Sequence, residues 1–476
     1  FGMAMVCMEL ERTKFTPSGK APHHWGVFLE LSEDDPALEA SLDELIAQAA
    51  HARVHVAHLK SVSGRGAARG RAFQYAAPSV VEVLQSDFLT QGPQVPAFET
   101  AISEYCGVEY TLAVNSGTSA LHIACLALGI GPGDEVWTSP ITFVASANCA
   151  RYCGASVDFV DIDPRTYNMS VEALAEKLQQ RKSAGGTLPS LVIPVHLCGQ
   201  SCDMAAIRAL GDEYGFRIVE DASHALGGRY QDGPIGDCRY SDMAVFSFHP
   251  VKIITTAEGG AVTTNSAELA EKLALFRSHG VTRDEPLMTR PSHGPWYYEQ
   301  IELGYNYRMT DLQAALGSSQ MKRLDPSVAR RHEIAERYDA KLADLPLQVP
   351  FREAFGYSAF HLYVVLLEKA RAAERRAVFE SLRAQGIGVN VHYIPVHTQP
   401  FHREPGRGAG AFPLAEDYYS RAISIPMYAS LTDEQQDEVI AAKPTAAWDE
   451  KWGGGFLQPD VFVSIVYDSL KPKDDE

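Results

Sequence analysis

From about Pro96 onward, short apolar runs alternate with longer segments whose apolar positions recur at helical spacing. That pattern marks strands separated by amphipathic helices, and therefore right-handed crossovers and a mostly parallel sheet. Strands are predicted at Thr111–Val114, Glu135–Thr138, Val157–Val160, Leu191–Val195 and Phe216–Val219. The helix opened by Ser116-Gly117-Thr118-Ser119 carries Leu121, Ile123, Cys125, Leu126 and Leu128 on its apolar positions, and Gly129 and Gly131 stop it. Further helices are predicted at Phe143–Cys153, Val171–Leu178 and Met204–Tyr214. Two more strands, Met243–Phe248 and Gly260–Thr264, precede a helix at Ser266–Phe276.

The texture changes after Asp325-Pro326 to a charged helical stretch, Val328–Leu345. Beyond it come a strand at His361–Leu367, a helix at Arg371–Gln385 and an apolar strand near Gly388–His392, the pattern of a smaller α+β domain ending near Ala442. The chain therefore divides into residues 73–325, a large α/β domain, and 326–442, a small α+β domain. Both ends depart from this pattern, as expected of a fusion or a misassembled frame. Residues 1–72 hold an acidic amphipathic stretch at Pro36–Ala50, a His-rich strand at Val54–Lys60 and a Gly/Arg/Ala linker at Ser63–Arg71. On that strand His55 and His58 are three apart and point to opposite faces, so they form no ligand pair. Residues 443–476 form a tail without clear periodicity.

Charge and composition narrow the function. A chain of 476 residues with a formal charge of -18 is repelled by nucleic acid and by anionic membranes, so neither is expected as a partner. No apolar run is long enough to span a bilayer, and residues 1–10 lack a secretory signal's basic start, so a cytoplasmic location is expected. Eight cysteines fit reduced thiols there. Cys149 with Cys153 and Cys198 with Cys202 have the spacing of half a zinc site, but the first pair sits on an apolar helix where Cys packs as a small hydrophobe, and no metal is expected.

The chemistry centres on Lys252, which ends Phe246-Ser247-Phe248-His249-Pro250-Val251-Lys252 and is followed by Ile253-Ile254-Thr255-Thr256-Ala257-Glu258-Gly259-Gly260. A lysine just after an apolar strand is placed to form a Schiff base with an aldehyde cofactor, although a lysine capping a loop is the ordinary alternative. Asp221 closes the strand Phe216–Val219 in the run Glu220-Asp221-Ala222-Ser223-His224. A carboxylate there can reach a ligand in the crevice of an open sheet, or simply cap a helix. Gly117 and Thr118 stand at a strand-to-helix junction where amides and dipole attract phosphate, and Ser247 is placed to add a hydroxyl. Phe143 is a candidate to stack on a flat ring, and Gly304-Tyr305-Asn306-Tyr307-Arg308 suits an oxyanion or a surface turn.

In this order the motifs resemble the DegT/DnrJ/EryC1/StrS sugar aminotransferases over about Ser79–Ala442. Leu89-Thr90-Gln91-Gly92-Pro93, Phe276-Arg277-Ser278-His279-Gly280 and Val391-His392-Tyr393-Ile394-Pro395-Val396-His397 look most like the pseudaminic-acid branch. The resemblance implies a fold-type I aminotransferase dependent on pyridoxal 5'-phosphate, working as a homodimer. It would move the amino group of L-glutamate to C4 of a UDP-linked 4-keto-6-deoxy-N-acetyl sugar, UDP-4-amino-4,6-dideoxy-N-acetyl-β-L-altrosamine being the branch's product. Lys252 would carry the Schiff base and Asp221 would pair with the pyridine nitrogen. His224 would bond near the phenolic oxygen, Phe143 would stack on the ring, and Gly117, Thr118 and Ser247 would hold the phosphate. Asn306 would reach the neighbouring subunit's phosphate, while Tyr75, Arg308, His392 and Tyr393 would contact substrate.

Phe73-Gln74-Tyr75-Ala76 resembles the family's Ile-Pro-Tyr-Gly cleft segment but is several residues short before Ser79. Two other readings stay open beside the main one. One is a cofactor-binding relative with a regulatory or scaffold role, and the other an aminotransferase acting on a GDP- or dTDP-linked keto sugar.

Overall fold

The computed structural model describes residues 80–403 and 408–442, together with the backbone of Val27–Leu31 and Val56–Lys60. The chain forms two units, residues 1–87 with 458–476, and residues 88–457. In the first, Val27–Leu31 and Val56–Lys60 pair as parallel strands, and the second of these falls within the His-rich strand expected at Val54–Lys60. Tyr75, the Pro36–Ala50 stretch, the Ser63–Arg71 linker and the tail from Lys443 lie outside the described residues.

The second unit is built on a seven-stranded sheet. Its strands are β1 (Tyr110–Val114), β2 (Glu135–Thr138), β3 (Ser156–Phe159), β4 (Leu191–Ile193), β5 (Arg217–Asp221), β6 (Met243–Ser247) and β7 (Gly260–Thr264). They lie in the order β1-β7-β6-β5-β4-β2-β3. Only β7 runs against its neighbours, pairing antiparallel with both β1 and β6. The other six strands are therefore parallel, and β1, β5 and β6 all end at the same edge.

Alternation along these strands explains why helices cover both faces. Val136, Val219, Val245 and Val262 belong to one apolar cluster, with Leu121 of α2 (Gly117–Ala127), Cys149 of α3 (Ala145–Tyr152) and Leu273 of α6 (Ala267–Arg277). Their neighbours Trp137, Val192 and Ile218 face the other way, against Leu174 and Leu178 of α4 (Val171–Ser183) and Ile207 of α5 (Met204–Tyr214). Ala113, Phe246 and Ala261 likewise meet Phe98 of α1 (Gln94–Cys106) and Ala314 of α7 (Asp311–Met321). Strands buried on both faces are what a parallel sheet requires.

A smaller antiparallel sheet follows, from β8 (Leu347–Gln348), β9 (Tyr363–Leu367) and β10 (Ala422–Ile425), with β9 in the middle. Ile334 and Tyr338 of α8 (Leu324–Leu342) pack on it with Leu382 of α9 (Arg375–Ala384). The long helix starts earlier than its charged stretch suggested, and Asp325 and Pro326 fall in its first turn. Proline fits there because that amide needs no intrahelical partner. The strand expected near Gly388–His392 does not form, and Asn390 makes only an isolated bridge to Ser424. The Asn390 side-chain oxygen accepts the Val391 amide at 2.8 Å, taking a donor that a ladder would use. The Arg371–Gln385 helix begins with a 3₁₀ segment, Lys369–Glu374, and becomes α-helical only at Arg375.

Gly260 ties the sheet to the helix that begins beside it. It pairs with Ser247 on one side and Val114 on the other. A Cβ at this position would lie 2.6 Å from the Ser116 carbonyl carbon and 2.7 Å from the Gly117 nitrogen. Since backbone cannot yield there cheaply, Gly260→Ala is expected to cost about 2–4 kcal/mol of stability. Chemical denaturation of the purified variant checks this, and an unchanged midpoint would show that the helix start can move.

Candidate active site

The edge where β1, β5 and β6 end presents the side chains that the sequence singled out. Asp221 is the last residue of β5 and is buried. One of its oxygens accepts from Ser146 Oγ at 2.6 Å, and the other from the Ser223 amide at 3.1 Å. Ser146 in turn lies 2.7 Å from Thr142 Oγ1. A hydroxyl donates once, so Thr142 donates to Ser146 and Ser146 to the carboxylate. Thr142 of the β2–α3 connection and Ser146 in the first turn of α3 fix the orientation of Asp221, and neither was anticipated. A small hydroxyl three residues after Phe143 carries no motif of its own.

Lys252 follows β6 in a turn closed by its own amide, which donates to the His249 carbonyl at 2.9 Å. Burial pulls its ammonium down to about 8 from the ordinary value near 10.5, and the Asp221 carboxylate opposes that shift. Burial disfavours the charged amine, whereas an opposite charge nearby favours it. The result is an amine that is partly neutral near physiological pH, as nucleophilic attack on an aldehyde requires.

Gly117 begins α2 and packs directly against Ser247, so that an added Cβ would sit 2.9 Å from Ser247 Cβ. Ser116 caps the helix by accepting the Ser119 amide at 3.0 Å, and the first turn carries no acidic residue. The amides of Gly117 and Thr118 precede the first intrahelical bond and face the positive end of the dipole. Together with Ser247 they make a small-residue cradle suited to a phosphate dianion.

The other candidates surround this cradle. Phe143 lies just before α3 rather than within the predicted helix; the residue is 58% exposed and its ring lies 6.3 Å from that of Tyr393. His224 is buried, accepts the Cys198 amide on Nδ1 at 3.3 Å and has Nε2 3.1 Å from Tyr393 Oη. Burial, with Lys252 and His392 nearby, holds its pKa well below the ordinary imidazole value. His392 is pushed down to about 4 by the same two influences, burial first and Lys252 second, and its Nδ1 lies 2.8 Å from Ser424 Oγ. The His361 ring lies 4.4 Å from that of His224 between centroids and is tilted against it, a neighbour that the sequence gave no reason to expect.

Residues 304–310 run beside the end of β1, where the Asn115 amide donates to the Tyr307 carbonyl at 2.8 Å. The Asn306 side chain is exposed, and Arg308 Nη1 donates to Ser278 Oγ at 3.1 Å. On the opposite side, the buried Asp311 carboxylate accepts the amides of Gly92 and Gln94, each at 2.8 Å, which pins the Leu89–Pro93 segment beside α7.

Residues 74–443 match the DegT/DnrJ/EryC1/StrS aminotransferase family. The chain belongs to that family. It is 37% identical to GDP-perosamine synthase of Caulobacter vibrioides over 76% of this chain and 93% of that protein. Helicobacter pylori PseC, an aminotransferase of pseudaminic acid biosynthesis, has the same fold with a TM-score of 0.70 and 33% identity, covering 77% of this chain and 95% of its own. Spr1654 of Streptococcus pneumoniae, solved in a PLP-form, superposes with a TM-score of 0.69 at 27% identity over 84% of this chain and 97% of its own. The protein is thus a sugar aminotransferase of fold type I with pyridoxal 5'-phosphate as cofactor. Its residues fit that cofactor, because a depressed amine, a fixed carboxylate and a glycine-lined anion cradle meet at one sheet edge. Among the described residues no helix is long and apolar enough to cross a membrane.

The depressed lysine has a direct consequence. Capture of pyridoxal 5'-phosphate by the apoenzyme should accelerate with a midpoint near pH 8, where Lys252 loses its proton, instead of near 10.5. Stopped-flow absorbance measures this, and a rate still rising steeply above pH 9–10, about where free lysine titrates, would contradict it.

Proposed function

We propose that this chain transfers the amino group of L-glutamate to C4 of a UDP-linked 4-keto-6-deoxy-N-acetyl hexose. The product would be a UDP-4-amino-4,6-dideoxy sugar for pseudaminic acid or a related surface glycan. The chemistry rests above all on Lys252, whose amine is lowered to about 8 within the field of Asp221. The sugar rests on the likeness to PseC, which extends over 95% of that chain.

When bound, the cofactor supplies an aldehyde that accepts amines and a ring that draws electrons away from the adjacent carbon. Lys252 would hold it covalently and give it up to the donor amine. The freed amine, partly neutral near pH 7–8 as a group with its pKa about there must be, would then take the donor's Cα proton and return it at the cofactor carbon C4′. With the keto sugar the same amine would run the transfer in reverse, so one residue serves both halves of a ping-pong reaction. Asp221 would keep the pyridine nitrogen protonated, and Ser146 with the Ser223 amide would hold its carboxylate in line. Gly117, Thr118 and Ser247 would seat the phosphate, Phe143 would cover one ring face, and His224 would act on the side of the phenolic oxygen.

Arg308, His392 and Tyr393 would contact the donor carboxylate or the sugar, with Tyr75 supplying a further contact. Asn306, with its side chain exposed beside the end of β1, would complete the phosphate site of a second copy in a homodimer. A GDP-linked keto sugar is a second reading, favoured by the 37% identity to GDP-perosamine synthase.

A panel of UDP-, GDP- and dTDP-linked 4-keto sugars incubated with glutamate tests the proposal. The UDP-linked N-acetyl sugar should be aminated with formation of 2-oxoglutarate, and Lys252→Ala should lower turnover by about 10³-fold or more. Preference for a GDP sugar would overturn the substrate, and amination of none would overturn the activity.

A further inference from the structure

Cys125, Cys149 and Cys153 form a thiol cluster that amino transfer leaves unused. Cys125 lies on α2, Cys149 on α3, and Cys153 caps the C-terminal end of α3. The first two are buried in the apolar cluster over the sheet, and Cys153, half-buried, packs against it. The Cys125 thiol is hydrogen-bonded to both of the others. Cys149 is also engaged within its own helix, where its thiol donates to the Ser146 carbonyl at 3.3 Å. Among the described residues no three His, Cys, Asp or Glu side chains are arranged to hold a metal ion, so the chemistry of the cluster is that of its thiols.

His122, one turn before Cys125 on α2, completes the group. It is 4% exposed, with the rings of Tyr152, Tyr305 and Tyr307 around it at 5.4, 4.8 and 5.9 Å between centroids. Its Nδ1 lies 3.1 Å from Tyr307 Oη, while Nε2 is buried without a hydrogen-bond partner. A buried nitrogen left unpaired is costly, and a negative sulfur beside the ring would satisfy it. The Cys153 thiol is held below its ordinary value, first by the Cys125 thiol and, against the opposing effect of burial, by His122. Cys125 itself is raised by its bonds to Cys149 and Cys153 and by burial. The proton between the two sulfurs therefore stays on Cys125, and Cys153 is the one that ionises. Burial pushes the thiols of Cys106, Cys198 and Cys238 up, so they do not compete. A half-exposed thiolate with a second thiol against it is the arrangement of a reversible oxidation site.

We propose that Cys153 is an oxidant-reactive thiol supported by His122, with Cys125 as its resolving partner, and that hydrogen peroxide converts the pair into a disulfide joining α2 to α3. The Cys153 thiolate attacks one peroxide oxygen and breaks the O–O bond, leaving a sulfenic acid at Cys153 and, with the proton that the thiol had released, one water. The Cys125 sulfur then attacks the Cys153 sulfur, and its proton leaves with the displaced hydroxyl as a second water. The two thiols give up two electrons and the peroxide takes them. The bond would cross-link the two helices whose first turns hold the phosphate cradle and Ser146. It involves neither Lys252 nor the sugar, so it holds whichever nucleotide sugar is aminated.

The test treats the full chain, with cofactor bound, with a slight excess of hydrogen peroxide, blocks the remaining thiols with iodoacetamide in denaturant, and maps peptides without reduction. Trypsin cuts after Arg151 and chymotrypsin after Trp137, so the three cysteines fall on separate peptides. The expected product is a cross-link between the Cys125 and Cys153 peptides, reversed by dithiothreitol. Cys125→Ser should stop at the Cys153 sulfenic acid, which dimedone captures, and Cys153→Ser should leave Cys125 reduced. His122→Gln should slow loss of the Cys153 thiol by about tenfold, the change in thiolate that one unit of thiol acidity brings. Should a variant not fold, the unaltered chain suffices, because brief labelling of the native enzyme with limiting iodoacetamide should reach Cys153 before any other described cysteine. A faster reaction at another described cysteine, a cross-link through Cys149, or an oxidised Cys153 with Cys125 left free overturns the proposal. Oxidation of a folded His122→Gln enzyme at the parent's rate overturns the part given to His122.

Discussion

The balance between burial and one carboxylate at Lys252 governs what this site can do. Left in water the amine would be fully protonated near neutral pH, and removed from water without a counter-charge it would be held neutral far more strongly. Asp221 offsets part of the burial, and the amine settles at about 8. Most of the surrounding architecture serves that placement. The parallel strands β5 and β6 put Asp221 and Ser247 at one edge, and the antiparallel β7 enters between β1 and β6 with a glycine where the start of α2 passes over it. A sheet edge with an anion cradle and an amine set beside a carboxylate is a general place for phosphate-bearing aldehyde chemistry.

Much of this was legible in the chain because it depends on local signals. Glu135–Thr138, Met204–Tyr214 and Gly260–Thr264 were placed with their observed ends, since alternation, helical spacing and glycine stops act over a few residues. The motif residues Lys252, Asp221 and Gly117 could be named because each sits at a junction between elements. What escaped were contacts made by distant parts of the chain. Ser146 meets Asp221 across 75 residues, and His224 meets Tyr393 across 169, and no period in the sequence encodes either pairing. The expected strand near Gly388–His392 failed for a different reason, because an asparagine side chain competes for the backbone donor that pairing needs.

The sugar is decided by a different kind of residue from the chemistry. Lys252, Asp221 and the glycine-lined cradle would serve amino transfer whatever the sugar, and the chain is similar to both PseC and GDP-perosamine synthase. Selectivity between nucleotides must come from the surrounding loops, where buried polar groups left unpaired by the wrong substrate discriminate most strongly. His392, neutral and bonded to Ser424, and Arg308, tethered by Ser278, are placed by the fold and do not swing freely. Preorganised side chains of this kind lose less entropy on binding and so spend more of each contact on discrimination.

The central claim is that Lys252, and no other lysine of the chain, carries the cofactor. Reduction of the loaded enzyme with borohydride followed by peptide mass mapping tests it most directly. The account predicts a single pyridoxyl-modified peptide containing Lys252. Modification at another lysine, or none in an enzyme that retains cofactor, would contradict it.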